Sequence, residues 1–214
     1  MGPGIRPVFI TRFDRIDTVS WPGKYLSVVH VRDGDGEGKN ANEIANTIRN
    51  DKDSIDSLMI VSDDCDPETI PRLYRFIEDI RPSRMPVILV TSGSDSAAIN
   101  DMVGAGYVNR VSFRFEDFPT QHQLDCVDDI RGSDIQFMVA VVLDPRKMNS
   151  EDILRIAELT RGHDEFVLLT PHEPRPCFTK KNLNALGKSL KGKAKNVRVL
   201  RDVKTPRDRV RRRD

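Results

Sequence analysis

The stretch that decides the fold is Trp21-Pro22-Gly23-Lys24, followed at once by the apolar run Tyr25–Val31. A short, nearly continuous apolar run of this kind is typical of a buried β-strand. The polar, glycine-rich loop Arg32-Asp33-Gly34-Asp35-Gly36-Glu37-Gly38-Lys39-Asn40 comes next, and a helical pattern over Asn42–Arg49 follows it. These segments predict one strand–loop–helix unit.

The same unit recurs along the rest of the chain. Further strands are predicted at Ser57–Val61, Val87–Thr91, Arg110–Phe115, Ile135–Leu143, Phe166–Leu169 and Val197–Leu200. Helical patterns lie between them at Glu68–Ile80, Asp95–Ala105, Gln121–Ile130, Ser150–Thr160 and Lys180–Leu190. Because each connection exceeds the roughly dozen residues that a parallel pair requires, the pattern predicts a parallel sheet. The predicted fold class is therefore α/β, either an open barrel or a doubly wound sheet.

Composition predicts a soluble protein with a single α/β domain over residues 1–203. The chain has 214 residues, of which 38% are hydrophobic and 31% are charged. No apolar run approaches the ~20 residues of a membrane helix, and Met1–Pro7 is not typical of a signal peptide, so we expect a cytoplasmic location. Cys65, Cys126 and Cys177 form no CxxC pair, which argues against a disulfide framework.

Charge is distributed unevenly along the chain. Residues Lys188–Asp214 contain twelve basic and three acidic residues, a net charge of +9, so the remainder carries −8 of the total of +1. The last part, Lys204–Asp214, has the composition of a disordered basic tail. Its arginines predict either phosphate contacts with nucleic acid or docking to an acidic protein surface. No aromatic residue follows Phe178 that could stack on bases.

Polar side chains follow the ends of the predicted strands, where ligands bind in both architectures. The set comprises His30, Arg32, Asp33, Asp35, Asp63, Asp64, Cys65, Asp66, Thr91, Ser92, Gly93, Ser94, Asp95, Arg114, Glu116, Asp144, Arg146, Thr170, His172, Glu173 and Arg175. Exposed loops have a similar composition, so the list by itself does not distinguish a binding site from a solvated rim.

From about Phe13 to about Val203 the chain resembles the small radical-SAM activating proteins, particularly those that activate anaerobic ribonucleotide reductase. In that family a segment like Trp21-Pro22-Gly23-Lys24 precedes the first strand and a CxxxCxxC loop that holds a [4Fe–4S] cluster. The resemblance implies an incomplete parallel barrel of about six strands. It also implies binding of S-adenosylmethionine (SAM).

The cluster ligands of that family are absent from this sequence. Counted without gaps, the three cysteine positions fall on Gly34, Gly38 and Ala41, none of which has a donor atom. Three thiolates hold such a cluster and leave one iron free for SAM, so the sequence predicts neither a [4Fe–4S] cluster nor radical chemistry.

Two further family segments have counterparts here. The glycine- and glutamate-containing segment that contacts the SAM amino group corresponds to Ser62-Asp63-Asp64-Cys65-Asp66-Pro67, with Asp66 in place of the glutamate. Asp64 and Cys65 replace glycines that let the backbone approach the ligand. The segment after the next strand, Val90-Thr91-Ser92-Gly93-Ser94, is better preserved. The resemblance therefore implies a ligand site made of Asp66, Thr91, Ser92, Gly93 and Ser94.

The acidic loops also raise a metal hypothesis. Asp33, Asp35, Asp63 and Asp64 follow neighbouring strands and could hold a cation if their carboxylates face one another. The alternative is a solvated acidic loop that pairs with Arg32 and Lys39. His30 lies inside an apolar strand pattern, which favours a hydrogen-bonded core histidine.

Three functions follow as hypotheses. The first is a non-catalytic, degenerate radical-SAM-like scaffold that acts as an accessory or regulatory protein or binds a ligand, with a protein partner and no resident cofactor. The second is an enzyme that binds SAM or a nucleotide and performs non-radical chemistry. The third is a metal-dependent enzyme that uses the acidic loops.

Overall fold

The structure is a computed structural model that describes residues 8–21, 23–33, 38–82, 84–133, 135–171 and 178–203. Its strands are β1 (Phe9–Asp17), β2 (Leu26–Arg32), β3 (Ser57–Ser62), β4 (Val87–Thr91), β5 (Arg110–Phe115), β6 (Gln136–Val142), β7 (Glu165–Pro171) and β8 (Val197–Val203). Its helices are α1 (Ala41–Asp51), α2 (Leu73–Ile80), α3 (Ser96–Gly104), α4 (Gln121–Arg131), α5 (Ser150–Leu159) and α6 (Lys180–Leu190).

The fold class is α/β, as the sequence predicts. The eight strands form one mostly parallel sheet in the order β1-β2-β3-β4-β5-β6-β7-β8. The chain divides into two compact units. Unit 1 comprises Met1–Thr91 and Asp95–Val111, and unit 2 comprises Ser92–Ser94 and Ser112–Asp214.

The core of unit 1 is built on three parallel strands. β2 pairs with β3 from Leu26↔Ser57 to Val31↔Ser62, and β3 pairs with β4 from Leu58↔Val87 to Ile60↔Leu89. Nearly every side chain of these strands is buried, which is why each reads as a continuous apolar run rather than an alternating one.

Strand β1 was not among the predicted strands. It pairs antiparallel with β2 at the edge of the sheet, from Phe9↔Arg32 to Asp17↔Leu26, with two register shifts. Ile10 is its one fully buried residue, and the other positions are partly or fully exposed. An edge strand of this kind can therefore contain charged residues, which interrupt the apolar pattern. The polar side chains that it carries become part of the site described below.

The segment Trp21-Pro22-Gly23-Lys24 has a structural role in unit 1. The Lys24 amide donates a hydrogen bond to the Trp21 carbonyl at 3.1 Å, and Gly23 has a φ of +77°. A residue with a side chain rarely adopts that φ, so the turn favours glycine at this position. The Trp21 ring is buried, and the Arg110 guanidinium lies 5.8 Å from its centroid. This turn therefore fixes the entry into β2 by packing.

One predicted helix is corrected by the structure. The pattern over Glu68–Ile80 was predicted as a single helix, but Pro67–Thr69 forms a short 3₁₀ turn and α2 begins only at Leu73. Pro71 lacks an amide hydrogen and forces the residue before it out of the helical region, and Ile70 is accordingly extended, with ψ of 119°. Glu68 is thus separated from the helix.

Unit 2 contains a second parallel ladder. β6 pairs with β7 from Met138↔Glu165 to Val142↔Leu169, and β7 pairs with β8 from Phe166↔Val197. α4 and α5 both begin with capping boxes, at Thr120 and Asn149, which satisfy the first free amides of each helix.

Several predictions fall outside the described residues, namely those for Asp35, for the loop that contains His172, Glu173 and Arg175, and for the tail Lys204–Asp214. Of the helices in the described ranges, none is long and apolar enough to span a membrane.

Candidate functional site

A buried carboxyl group joins two loops of unit 1 at the carboxyl ends of β3 and β4. Glu68, on the short turn after β3, has only 7% of its surface exposed. The hydroxyl of Thr91, the last residue of β4, donates a hydrogen bond to Glu68 Oε1 at 2.6 Å. Backbone amides of Glu68 itself and of Asp95 also donate to this carboxylate. The residue that links the two loops is therefore Glu68.

Burial changes the proton affinity of this carboxyl group. Loss of water on burial is the main cause that raises the pKa of Glu68 to about 7, and the nearby negative charge of Asp66 contributes to this rise. The hydrogen bonds from Thr91 and from the two amides oppose this rise, since they stabilise the charged form. Near neutral pH both protonation states of Glu68 are populated.

A second cluster in unit 1 connects the edge strand to the end of β3. His30 of β2 is buried, with Nδ1 at 3.3 Å from Asp63 Oδ1 and Nε2 at 3.5 Å from Asp14 Oδ2. Asp14 also forms a two-pronged ion pair with Arg12, with N–O distances of 2.6 and 2.5 Å. The prediction of a hydrogen-bonded core histidine is confirmed, and the partners on β1 were not foreseen.

The acids that were predicted as metal ligands have different surroundings. Asp63 contacts His30, whereas Asp33 and Asp64 are exposed. Within the described ranges, no group of three or more histidine, cysteine, aspartate or glutamate side chains is arranged to hold a metal ion. Since Asp35 lies outside those ranges, the metal hypothesis for the full set stays a prediction.

The segment Ser92–Ser94 belongs to unit 2 and is held there by packing. Gly93 has a φ of +86°, and a Cβ atom added to it would lie 3.2 Å from Phe113 Cε1 and 3.4 Å from Cys126 Cβ. The carbonyl oxygen of Ser94 lies 2.9 Å from Nε2 of His122, which is on the first turn of α4. This geometry explains a glycine at position 93 by space and backbone conformation.

Charged residues at the carboxyl end of β6, also in unit 2, pair among themselves. Asp144 is buried and accepts hydrogen bonds from Arg146, at 3.1 Å from Nε and 2.8 Å from Nη2. Lys147 donates to Asp117 at 2.6 Å. These pairs neutralise much of the charge that the sequence places after β6.

Gly38, the position where the resemblance places the second cluster cysteine, is tightly packed against β1. A Cβ atom built on Gly38 would lie 3.0 Å from Phe9 Cδ1 and 3.4 Å from the backbone N and O atoms of Ile10. The next amide, of Lys39, donates to the Ile10 carbonyl at 2.9 Å and ties the loop to β1. Gly34 is outside the described residues, and Ala41 begins α1. The residues present do not fit a [4Fe–4S] cluster, because thiolates are lacking at all three positions, and at one of them an added Cβ would be tightly packed.

Comparison with known proteins gives a likeness in structure only. No family model and no curated protein matches the sequence significantly. Among solved structures, the chain is similar to Streptococcus suis SuiB bound to the precursor peptide SuiA, with a TM-score of 0.58 and 10% identity over 78% of this chain and 44% of SuiB. SuiB bound to S-adenosylmethionine gives a TM-score of 0.57 and 12% identity over 79% and 45%. SuiB alone gives a TM-score of 0.57.

This likeness supports a radical-SAM-like fold. The chain spans less than half of the SuiB length, and at such low identity the likeness extends to the fold alone.

Two site residues were missed from the sequence. Glu68 was assigned to a helix, although the following Ile70-Pro71 was a signal against that assignment, and Asp14 lay on a strand that was not predicted.

Proposed function

We propose that this protein is a non-catalytic radical-SAM-like scaffold, with the strands in a partial parallel barrel, which binds a ligand or peptide and serves an accessory or regulatory role for a partner protein. The proposal includes a single domain over residues 1–203 and a cytoplasmic location. The observation that carries it is the packing of Gly38 against Phe9 and Ile10, where the fold family places a cluster ligand.

The chemical reason is the lack of an electron donor. Reductive cleavage of SAM needs an electron from the cluster, and the cluster needs three thiolates. Gly34, Gly38 and Ala41 supply none. The three cysteines of the chain lie elsewhere: Cys65 is exposed in unit 1, Cys126 is buried in unit 2, and Cys177 is outside the described residues. Their sequence spacing is not that of a CxxxCxxC loop.

The acids of unit 1 favour a ligand that carries positive charge. Asp63, Asp64 and Asp66 follow β3 in the sequence. Glu68, which comes two residues after Asp66, is buried. A cationic group gains electrostatic stabilisation beside such carboxylates and lowers their mutual repulsion. SAM contains an ammonium and a sulfonium group, and a similar fold has been solved with SAM bound. SAM and S-adenosylhomocysteine, which lacks the sulfonium charge, are therefore the first ligands to test.

Isothermal titration calorimetry of the full chain tests this site. SAM is expected to bind, S-adenosylhomocysteine more weakly, and Asp66→Asn is expected to weaken SAM binding by about tenfold, as for the loss of one charged contact. Asp79→Asn, an exposed acid on α2, is the matched control and should leave binding unchanged. Equal loss in both variants, or no heat with SAM, would remove SAM as the ligand. Titration with Mg²⁺, Ca²⁺, Mn²⁺ and Zn²⁺ tests the metal hypothesis in the same experiment.

Anaerobic reconstitution with iron and sulfide tests the non-catalytic assignment. The wild-type chain is expected to assemble no stoichiometric cluster, as judged by absorbance and iron content. A triple variant, Gly34→Cys/Gly38→Cys/Ala41→Cys, should melt at a lower temperature than Gly34→Cys/Ala41→Cys, because only the former adds a Cβ atom at position 38. A full cluster in the wild type would overturn the proposal.

A further inference from the structure

Helix α6 and the turn that follows it form a lysine-rich surface on unit 2, which comprises Lys181, Lys188, Lys191 and Lys195. All four side chains are exposed. From Phe178 to Arg201 the sequence contains eight basic residues and no acidic residue. This is the longest part of the described chain with charge of one sign only.

Two of the lysines, Lys181 and Lys188, lie on the outer face of α6. Leu183, Leu186 and Leu190 are buried and define the inner face of α6. At 100° per residue, Lys181 and Lys188 lie opposite this face and, being seven residues apart, are separated by about 10 Å along the axis. Lys191 follows at the end of the helix, and Lys195 lies in the turn before β8. The positive charges therefore begin on the outer face of α6 and continue into the exposed residues that follow the helix.

Neighbouring acids neutralise other basic residues and leave these four uncompensated. Glu158 of α5 pairs with Lys193, and Glu165 of β7 lies 3.6 Å from Arg198 Nε. Among the residues that the structure describes, Lys181, Lys188, Lys191 and Lys195 form no salt bridge. The four exposed lysines of α6 and its following turn are thus available to an external anion.

Helix stability does not account for the pattern. Lys188 and Lys191 lie at the C-terminal end of α6, where the helix dipole favours positive charge. Lys181 lies in the first turn, where positive charge costs about 0.3 to 1 kcal/mol, and α5 has Glu151 and Asp152 at the equivalent place. Lys195 lies beyond the helix. Binding of an external anion therefore explains the positions of these lysines better than stabilisation of the ends of α6 does.

We propose that the lysine surface binds the phosphate backbone of duplex nucleic acid. Protein interfaces generally need a buried apolar centre, and none of the large exposed apolar side chains in the described ranges, Ile16, Val19, Tyr25, Tyr74 and Leu159, belongs to α6 or its following turn. Phosphate binding needs only positive charge. Single strands are usually held by aromatic stacking, and no aromatic residue follows Phe178, so the duplex is the form that fits. The basic residues of Lys204–Asp214 add charge next to this surface in sequence.

This inference does not depend on the proposed function, because it concerns another part of the chain. The test is fluorescence anisotropy of a labelled mixed-sequence duplex of about 20 base pairs titrated with the full chain at several salt concentrations. The wild type should bind with an affinity that falls steeply with salt. The slope of log K against log salt is negative, and each lysine–phosphate contact adds about 0.9 to its magnitude. Lys181→Gln/Lys188→Gln should therefore reduce the magnitude of the slope by about 1.8.

The matched control is Lys39→Gln/Lys52→Gln, which removes the same charge from exposed positions of unit 1. It should keep the wild-type slope, while Lys181→Gln/Lys188→Gln weakens binding at least tenfold in low salt. Circular dichroism checks that both variants are folded. Equal weakening by the two pairs, absence of duplex binding, or preferential binding of a polyglutamate competitor would overturn the proposal. The last result would assign the surface to an acidic protein instead.

Discussion

The two ends of the parallel strands in unit 1 are built in opposite ways. Before β2, the turn at Trp21 is fixed by a buried ring, a left-handed glycine and the Arg110 guanidinium. After β3 and β4, the buried carboxylate of Glu68 accepts hydrogen bonds from the Thr91 hydroxyl and two backbone amides and lies near the negative charge of Asp66. The first end stabilises the fold by packing, whereas the second carries a charge that burial disfavours.

The difference shows how an opening segment that resembles that of the radical-SAM activating proteins can occur without their cluster cysteines. Packing positions such as Trp21 are retained by the stability of the sheet and do not depend on chemistry. Gly38, Asp64 and Cys65 stand at positions where the resemblance implies a cluster ligand and two glycines beside the bound ligand. The Trp21 turn is therefore evidence for the fold. It carries no information about activity.

The largest expected effect comes from breaking the packed end. Trp21→Ala should lower the free energy of unfolding by about 3 to 5 kcal/mol, because the buried indole is lost and a cavity remains beneath Arg110. Tyr25→Ala, with 57% of the tyrosine exposed, is the control and should cost well under half as much. Urea unfolding measures both. A similar loss in the two variants would contradict the packing role of the turn.

The charged end is expected to respond to pH instead. The pKa of Glu68 is about 7 in the folded chain against an ordinary value of 4.5, so the folded state binds a proton more tightly than the unfolded state. Stability from this group is therefore complete below pH 4.5 and is lost as the pH rises to about 7 and beyond, by about 3 kcal/mol in all. Glu68→Gln removes this titration. Between pH 4.5 and 8, the free energy of unfolding of this variant should therefore increase by about 3 kcal/mol relative to that of the wild type.

The pH dependence of the wild type alone does not isolate Glu68, because His163 changes the free energy of unfolding with pH in the opposite direction. The wild type is therefore compared with Glu68→Gln. Burial lowers the pKa of His163, so its contribution rises with pH. Glu43→Gln, at an exposed position of α1, is the matched control. If the difference between wild type and Glu68→Gln stays constant from pH 4.5 to 8, Glu68 does not titrate in this range.

Much of the sheet could be predicted from the sequence, because β2, β3, β4 and β6 are buried on both faces and read as unbroken apolar runs. β1 could not be predicted in this way. It is an antiparallel edge strand whose pairing depends on β2, and its local sequence is largely charged.

The candidate site was predictable only in outline. The rule that ligands bind at the carboxyl ends of strands located the loops that contain Asp63, Asp66 and Thr91. The roles of Glu68 and Asp14 depend on burial and on contacts over 23 and 16 residues of separation, respectively, with Thr91 and His30. Such contacts arise from the tertiary fold and leave no local pattern.

A smaller effect is expected in the segment Ser92–Ser94 of unit 2. If Gly93 is required by packing, Gly93→Ala should cost about 2 to 3 kcal/mol, because the φ of +86° is strained for alanine and its Cβ would press on Phe113. Gly106→Ala is the matched control, since Gly106 has a φ of +75° but no atom within 4 Å of the added Cβ. It should cost about 1 kcal/mol from backbone strain alone. Equal losses by thermal unfolding would show that space around Gly93 is not limiting.

The smallest expected effect separates the two protonation states of the charged end. Thr91→Val removes the hydroxyl that donates to Glu68 Oε1 at 2.6 Å. A hydrogen bond to an ionised carboxylate is stronger than one to a neutral carboxyl group, by about 1 kcal/mol. Thr91→Val should therefore lower the free energy of unfolding more at pH 8 than at pH 5, whereas Thr91→Ser, which keeps the hydroxyl, should show little of this pH dependence. In a Glu68→Gln background the pH dependence of Thr91→Val should vanish. If it persists there, the hydroxyl responds to a titrating group other than Glu68, and the contrast between the packed and the charged end would have to be located elsewhere in unit 1.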